Sequence, residues 1–133
     1  MIPRGIRNNN PGNIRKGNDW RGEIGNQTDT AFEQYESPEY GIRALGKILL
    51  SYQRKYGLDT VRKLITRWAP PNENNTDAYV NGVARSLGVA PDDPIRVEEH
   101  LPALVVAIIQ HENGQQPYPD EVIAAGVGMA LEA

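Results

Sequence analysis

Glu112 is the side chain whose sequence position best suits acid–base chemistry. It follows the apolar segment LPALVVAIIQ and precedes Asn113–Gly114, a pair typical of a helix end. A carboxyl group at the edge of an apolar core is partly desolvated, and a helix C-terminus adds partial negative charge, so both effects favour the protonated form. Such a group can donate a proton to a glycosidic oxygen. The alternative is a solvated carboxylate beside a glycine cap.

The residue types give less support to other catalytic chemistries. The chain has no cysteine, which excludes disulfides, thiolate metal sites and thiol nucleophiles. His100 and His111 lie far apart, and HENGQ lacks the second His of a zinc-binding helix, so we expect no metal and no other cofactor. No serine lies in a G-x-S-x-G context, and the N-terminal glycines form no strand–GxGxxG–helix unit, so neither a serine hydrolase nor a phosphate-binding loop is predicted.

Composition and charge predict one soluble domain. The 133 residues are 39% hydrophobic and 23% charged, enough for a single core. We expect no signal peptide and no membrane partner, since no segment is apolar enough. Of the 14 Lys and Arg residues, 12 lie in residues 1–68. They alternate with apolar residues at helical spacing and show no interleaved stacking platform, so we interpret them as solvated helix faces and expect no nucleic-acid partner.

Apolar periodicity predicts a mainly α fold with about five helices. The first begins near Gly41 and ends at Gly57. The others are a short helix capped by Asp59, a helix capped by Thr76 or Asp77, a buried helix with Pro102 in its first turn, and a last helix at about Asp120–Leu131. Residues 1–31 show no such period, and we expect loops with at most a small hairpin near Glu23–Phe32. The single domain then divides into a loop lobe, 1–40, and a helical lobe, 41–133.

Several motifs resemble a family of small phage and prophage proteins. These are RNNNPGNIR, WRG at Trp20–Gly22, FEQYESPE, RWAPPNENNT, NTDAY at Asn75–Tyr79 and HENGQQPY. The resemblance runs almost end to end, and members of that family are described as virion structural proteins or lytic transglycosylases. It implies a phage-derived protein that acts on bacterial peptidoglycan and associates with other virion proteins.

A weaker similarity is to bacterial glucosaminidases of the lysozyme superfamily. Their helix ending in E-x-G comes first, and elements similar to NPGNIR, WRG, FEQYES and NTDAY follow. Here AIIQHENG comes last, the order that a circular permutation would give, and permutation is physically plausible because chain termini are often close together. The similarity implies an α+β lysozyme-like domain in a circularly permuted order. It predicts that Glu112 faces a cleft lined by the Asn10–Trp20 and Asn75–Tyr79 loops.

The resemblance also implies roles for individual residues. Glu112 would protonate the bond between N-acetylmuramic acid and N-acetylglucosamine. The predicted substrate-binding residues are Tyr79, Asn75, Thr76, Trp20, Asn10, Gln27 and Asp29. For several the structural alternative is open, because Tyr79 lies on an apolar helix face and Asn75 and Thr76 suit caps and turns in any protein.

The number of carboxyl groups separates the possible reactions. A hydrolase normally uses two, and the candidates for the second are Asp29, Glu33 and Glu36. A lytic transglycosylase needs one acid/base, since the substrate's own 6-hydroxyl attacks, and the single well-placed Glu112 slightly favours that reaction. The alternative function is a non-catalytic virion or glycan-binding protein on the same scaffold. Such a protein would be made in the host cytoplasm and act at the cell wall or periplasm, or travel in the phage particle.

Overall fold

The computed structural model describes residues 1–133 and confirms the predicted mainly helical fold. It contains six helices. They are α1 (Arg4–Arg7), α2 (Pro38–Tyr56), α3 (Val61–Trp68), α4 (Thr76–Leu87), α5 (Val97–Asn113) and α6 (Asp120–Glu132). The structure thus adds one short helix to the five that periodicity predicts. None of the six has the length and apolar content needed to cross a bilayer.

Two of the helices begin earlier than expected. Helix α2 starts at Pro38, because a proline suits the first helical position. Helix α5 starts at Val97, so Pro102 lies inside it rather than in its first turn, which corrects the prediction. Glu98 and Glu99 in the first turn favour a helix N-terminus. The exposed Pro102 removes one backbone hydrogen bond, which the surrounding packing of α5 tolerates.

The caps of α3 and α4 differ by one residue from those expected. The Thr60 side chain, not that of Asp59, accepts the amide of Lys63 at 3.1 Å. At α4 the Asn75 side chain accepts the amide of Ala78, and Thr76 is the first helical residue. Both corrections concern neighbouring residues that are equally good caps by type, so the sequence alone does not choose between them.

The N-terminal lobe has almost no regular structure. In place of the hairpin expected near Glu23–Phe32, two isolated antiparallel bridges pair Arg15 with Phe32 and Glu23 with Tyr35. Glu23 thus pairs with a residue three positions beyond the predicted hairpin, and Phe32 pairs with a residue that precedes it. The lobe is closed by contacts between segments more than ten residues apart, which periodicity cannot reveal.

One hydrophobic cluster joins the two lobes. It includes Ile14 and Tyr35 from the loops together with residues of α2 to α6. Helix α5 supplies seven buried residues, as expected of a helix that is apolar on nearly all sides. Helices α2 and α6 approach closely at small residues, since a Cβ on Gly46 would lie 2.8 Å from that of Ala130. The buried residues of α5 extend to Ile109, and Glu112 lies one turn beyond them at the end of the helix.

Candidate active site

The segment NNNPGN forms the loop that faces the end of α5. Asn9 and Asn13 have φ values of 52° and 53°, a left-handed conformation that asparagine tolerates better than most non-glycine residues. Asn10 is fully buried, and its amide group bonds the backbone of Ile14 at two points and the carbonyl of Glu33. The loop is thus fixed from within, and its shape depends on asparagine at specific positions.

Two consecutive residues of α5 hold this loop. Asn13 Nδ2 donates to Glu112 Oε1 at 3.1 Å. Asn113 Nδ2 donates to the carbonyl oxygens of Pro11, at 2.8 Å, and of Ile109. The pairs linking the loop to α5 are separated by about a hundred residues in sequence. Glu112 therefore has a defined orientation rather than that of a freely solvated carboxylate.

A buried tyrosine holds the second oxygen of Glu112. Tyr79 is fully buried on α4, and its hydroxyl donates to Glu112 Oε2 at 2.9 Å. Burial, and then the negative charge of Glu112, raises the pKa of Tyr79 above its usual range, so this hydroxyl remains a donor. The His111 ring stacks on Tyr79 with centroids 3.6 Å apart. Each carboxyl oxygen of Glu112 keeps a further acceptor position for a ligand or a proton.

Glu112 lies in a cleft of about 310 Å³. The loop Gly12–Arg15 lines it together with the end of α3 and the connection to α4. Besides that loop, the lining side chains include three aromatic rings and a second carboxyl group: Phe32, Ile48, Tyr52, Trp68, Ala69, Glu73, Asn74 and Glu112. The cleft therefore combines a carboxyl group, amide groups and flat apolar faces, a combination suited to a carbohydrate.

Three of the predicted substrate-binding residues have structural roles. The buried amide group of Asn10 is occupied by the backbone of its own loop. Thr76 is buried, and its hydroxyl donates to the carbonyl of Ala69 at 2.5 Å. Tyr79 is enclosed, so its hydroxyl contacts Glu112 in place of a sugar. These contacts correct the predicted contacts with substrate, because all three side chains bond other groups of the protein next to the cleft.

Asn75 and Gln27 also differ from their predicted roles. Asn75 is exposed and its side chain caps α4, while its neighbour Asn74 lines the cleft. The side-chain amide of Gln27 bonds the backbone of Ile24 and Gln34. Neither side chain is among those that line the cleft, and both stabilise loops.

Asp29 is the centre of a separate polar cluster. It forms a two-pronged ion pair with Arg4, at 2.5 and 2.7 Å, and accepts from Asn8 and from the amides of Ala31 and Phe32. These donors, Arg4 foremost, hold the pKa of Asp29 well below its usual range. The carboxylate is engaged in holding the N-terminal lobe together, which corrects both its predicted substrate contact and its candidacy as second carboxyl group.

The other candidate carboxyl groups also lie outside the cleft. Glu33 is only 3% exposed, and burial, followed by the nearby charge of Glu23, raises its pKa. Glu36 is exposed and lines no part of the cleft. Trp20 is half-buried and lines a neighbouring hollow instead of the cleft. The predicted sugar-stacking position of Trp20 is therefore corrected to a site beside the cleft.

The cleft residues that the sequence did not predict include Trp68, Phe32 and Glu73. Trp68 appears as one apolar position of an amphipathic helix, yet it is the last residue before a proline-rich connection, where a helix face opens to solvent. The guanidinium groups of Arg4 and Arg15 lie 4.5 and 5.3 Å from the ring centroid of Phe32. Glu73 had no sequence signal, because it lies in a polar turn.

The histidine and carboxylate side chains do not gather into a cluster. No three or more His, Asp or Glu side chains are placed to hold a metal ion together. His111 stacks on Tyr79 next to Glu112.

Comparison with known proteins identifies a phage relative. The chain is 42% identical over 127 residues to Protein P5 of Pseudoalteromonas phage PM2, an alignment that covers 92% of this chain and 79% of that protein. No family model matches the chain. The similarity confirms the predicted phage relationship and does not extend to an activity or a substrate.

Proposed function

The chain belongs to the same family as Protein P5 of Pseudoalteromonas phage PM2, and on that premise we propose that it cleaves the glycan strands of bacterial peptidoglycan as a component of a phage particle. The observation that carries the proposal is the position of Glu112. Its carboxyl group lies in a cleft, held by Asn13 and Tyr79, with aromatic rings around it. A positioned carboxyl group beside sugar-sized apolar faces is what acid–base cleavage of a glycosidic bond requires.

In the proposed reaction Glu112 acts first as acid and then as base. It protonates the glycosidic oxygen as the bond to the muramic acid C1 breaks. In a lytic transglycosylase the 6-hydroxyl of the same sugar then attacks C1, and Glu112 takes its proton, leaving an anhydro end. In a hydrolase, water attacks instead. Glu73 shares the cleft with Glu112 and is the carboxyl group available to assist the attack of water.

The lysozyme-like, circularly permuted topology belongs to the same proposal. The loop NNNPGN and the connection between α3 and α4 are distant in sequence, yet both line the cleft that contains Glu112. This convergence supports the permuted order, since a permutation changes which element comes first and leaves the site intact. The chain's place in the particle, beside other virion proteins, is inferred from its phage relationship.

The proposal is tested by the release of soluble muropeptides from purified sacculi. We expect release by the wild-type protein and none by Glu112→Gln, which keeps the shape of the side chain and removes its proton chemistry. Glu99→Gln is the matched control, because Glu99 is exposed in the first turn of the same helix. Sacculus binding without release by the wild-type protein would identify the non-catalytic alternative and contradict the proposal.

A further inference from the structure

A second hollow adjoins the cleft. It has a volume of about 800 Å³ and lies between the C-terminal half of α2, the segment 18–20 and the end of α6. Ile48 and Tyr52 line both the hollow and the cleft. The cleft and this second space, which we call the basic hollow, therefore adjoin at these two side chains.

The charged side chains of the basic hollow are mostly cationic. Four basic residues line it, Lys47, Arg54, Lys55 and Arg67, against one acidic side chain, Asp19. Arg54 lies 3.9 Å from Glu98, whereas the other three basic residues take part in none of the chain's ion pairs. The whole chain has a net charge of -3, so this is a local positive region on an acidic protein. Such a region attracts and retains anionic groups.

Aromatic rings give the basic hollow a defined shape. The Arg67 guanidinium lies 4.5 Å from the ring centroid of Tyr56 and 5.6 Å from that of Tyr52. Contact with the two rings restricts the guanidinium, which takes part in no ion pair within the chain. Trp20 contributes a further ring to the lining. This platform was not expected from the sequence, because Trp20 and Tyr52 are far apart in it.

We propose that the basic hollow binds the carboxylate-bearing peptide stems of the glycan strand whose sugars occupy the cleft. The inference rests on the proposed function for the identity of that strand. Its sugars carry no phosphate, so their attached peptides supply the negative charge. A stem attached to a sugar in the cleft extends into the adjoining space, and Tyr52 and Ile48 place the basic hollow there.

Binding measured in an inactive background tests this inference separately from catalysis. In Glu112→Gln, affinity is measured for intact sacculi and for oligomers of N-acetylglucosamine, which share the glycan backbone and carry no peptides and no carboxylates. We expect Lys47→Gln/Lys55→Gln to weaken binding to intact sacculi by about tenfold and to leave binding to the oligomers unchanged. The matched control is Arg7→Gln/Arg85→Gln, which removes the same charge at two exposed residues outside both hollows. We expect it to bind both substrates like its parent.

Each other outcome has a definite meaning. Equal loss on both substrates, or no loss on intact sacculi, would overturn the stem-binding role. Tighter binding of a single-stranded oligonucleotide than of intact sacculi, lost in the Lys47→Gln/Lys55→Gln variant, would also overturn it, because a nucleic acid would then be the occupant. Stem-dependent binding together with no fragment release by the wild-type protein would refute the proposed catalysis and leave the stem site standing.

Discussion

Glu112 and Asn113 are adjacent residues with different tasks at the end of α5. Asn113 attaches the loop by bonding the Pro11 carbonyl, and Glu112 accepts from Asn13 of the same loop. Tyr79 then restrains the other oxygen of Glu112 from α4. The orientation of one carboxyl group thus depends on two direct contacts, one from the loop and one from α4, and on the bond by which Asn113 attaches that loop.

The Tyr79 hydroxyl provides a first prediction at the residue scale. Tyr79→Phe removes the donor to Glu112 Oε2, so we expect the rate of muropeptide release to fall roughly ten- to hundredfold as the carboxyl group loses its orientation. The free energy of unfolding should fall by about 1 kcal/mol. Product release measures the rate, and chemical denaturation measures the free energy of unfolding.

Tyr35→Phe is the matched control for that variant. The Tyr35 hydroxyl is also buried, and it has no hydrogen-bond partner. We therefore expect no loss of stability and no loss of activity. If Tyr79→Phe released fragments as fast as Tyr35→Phe, the Tyr79 hydroxyl would have no part in orienting Glu112.

A second residue-scale prediction concerns Glu33 and pH. Its pKa is raised in the folded chain by burial, so holding it ionised destabilises the fold above that pKa, and the penalty disappears as pH falls toward the unfolded value of about 4.3. Glu33→Gln should therefore raise Tm at pH 7, and the advantage over wild type should shrink as pH approaches 4. Asp29 has the opposite sign, since its lowered pKa makes the fold lose stability in acid. That loss is common to both proteins and cancels in the comparison.

Thermal unfolding at a series of pH values checks this prediction. Glu36→Gln serves as the control, because Glu36 is exposed and its removal should change Tm little at any pH. A Tm difference between Glu33→Gln and wild type that stayed constant from pH 7 to pH 4 would contradict the assigned role of burial.

At the scale of elements, Gly41 couples α2 to the loop that holds Glu112. A Cβ at Gly41 would collide with the backbone oxygen of Asn9. We expect Gly41→Ala to lower the free energy of unfolding by about 1–3 kcal/mol and to slow muropeptide release as the loop moves. Gly82→Ala in α4 is the control, since nothing lies within 4 Å of a Cβ there, and it should gain about 0.5–1 kcal/mol from helix propensity. Equal effects of the two substitutions on the free energy of unfolding would show that the close approach of Gly41 to Asn9 does not affect stability.

The elements also show what sequence patterns can and cannot predict. Five helices follow from apolar spacing and from Gly57, Gly88 and Gly114, because both signals are local. The short α1, the early start of α5 and the two bridges depend on tertiary contacts, and no local pattern contains them. The predicted start of α5 was wrong because it put Pro102 in the first turn, whereas a helix packed on several sides tolerates an interior proline.

The candidate site likewise contains residues with a local sequence signal and residues whose role depends on tertiary contacts. The end of a buried helix identified Glu112, because burial and a glycine cap are both visible in sequence. Asn10, Gln27, Thr76 and Asp29 were predicted to contact substrate, and their hydrogen bonds show structural roles. Polar residues of these types serve caps and turns as readily as ligands.

At the scale of the whole molecule, the uneven charge along the sequence becomes one positive region on the surface. Lys47, Lys55 and Arg67 gather around one hollow beside the cleft, while the chain as a whole is acidic. The surface charge therefore favours an anionic polymer at one face and disfavours it elsewhere. We expect raised salt to weaken binding to intact sacculi more than binding to N-acetylglucosamine oligomers, because only the sacculi carry the carboxylates that engage the basic hollow.

The central claim is that Glu112 cleaves glycan strands, and mass spectrometry of the material released from purified sacculi tests it most directly. Wild-type protein should release muropeptides with newly formed ends, anhydro if the 6-hydroxyl attacks and reducing if water does, and folded Glu112→Gln should release none. Release by Glu112→Gln at the wild-type rate, or no release by the folded wild-type protein, would contradict the account.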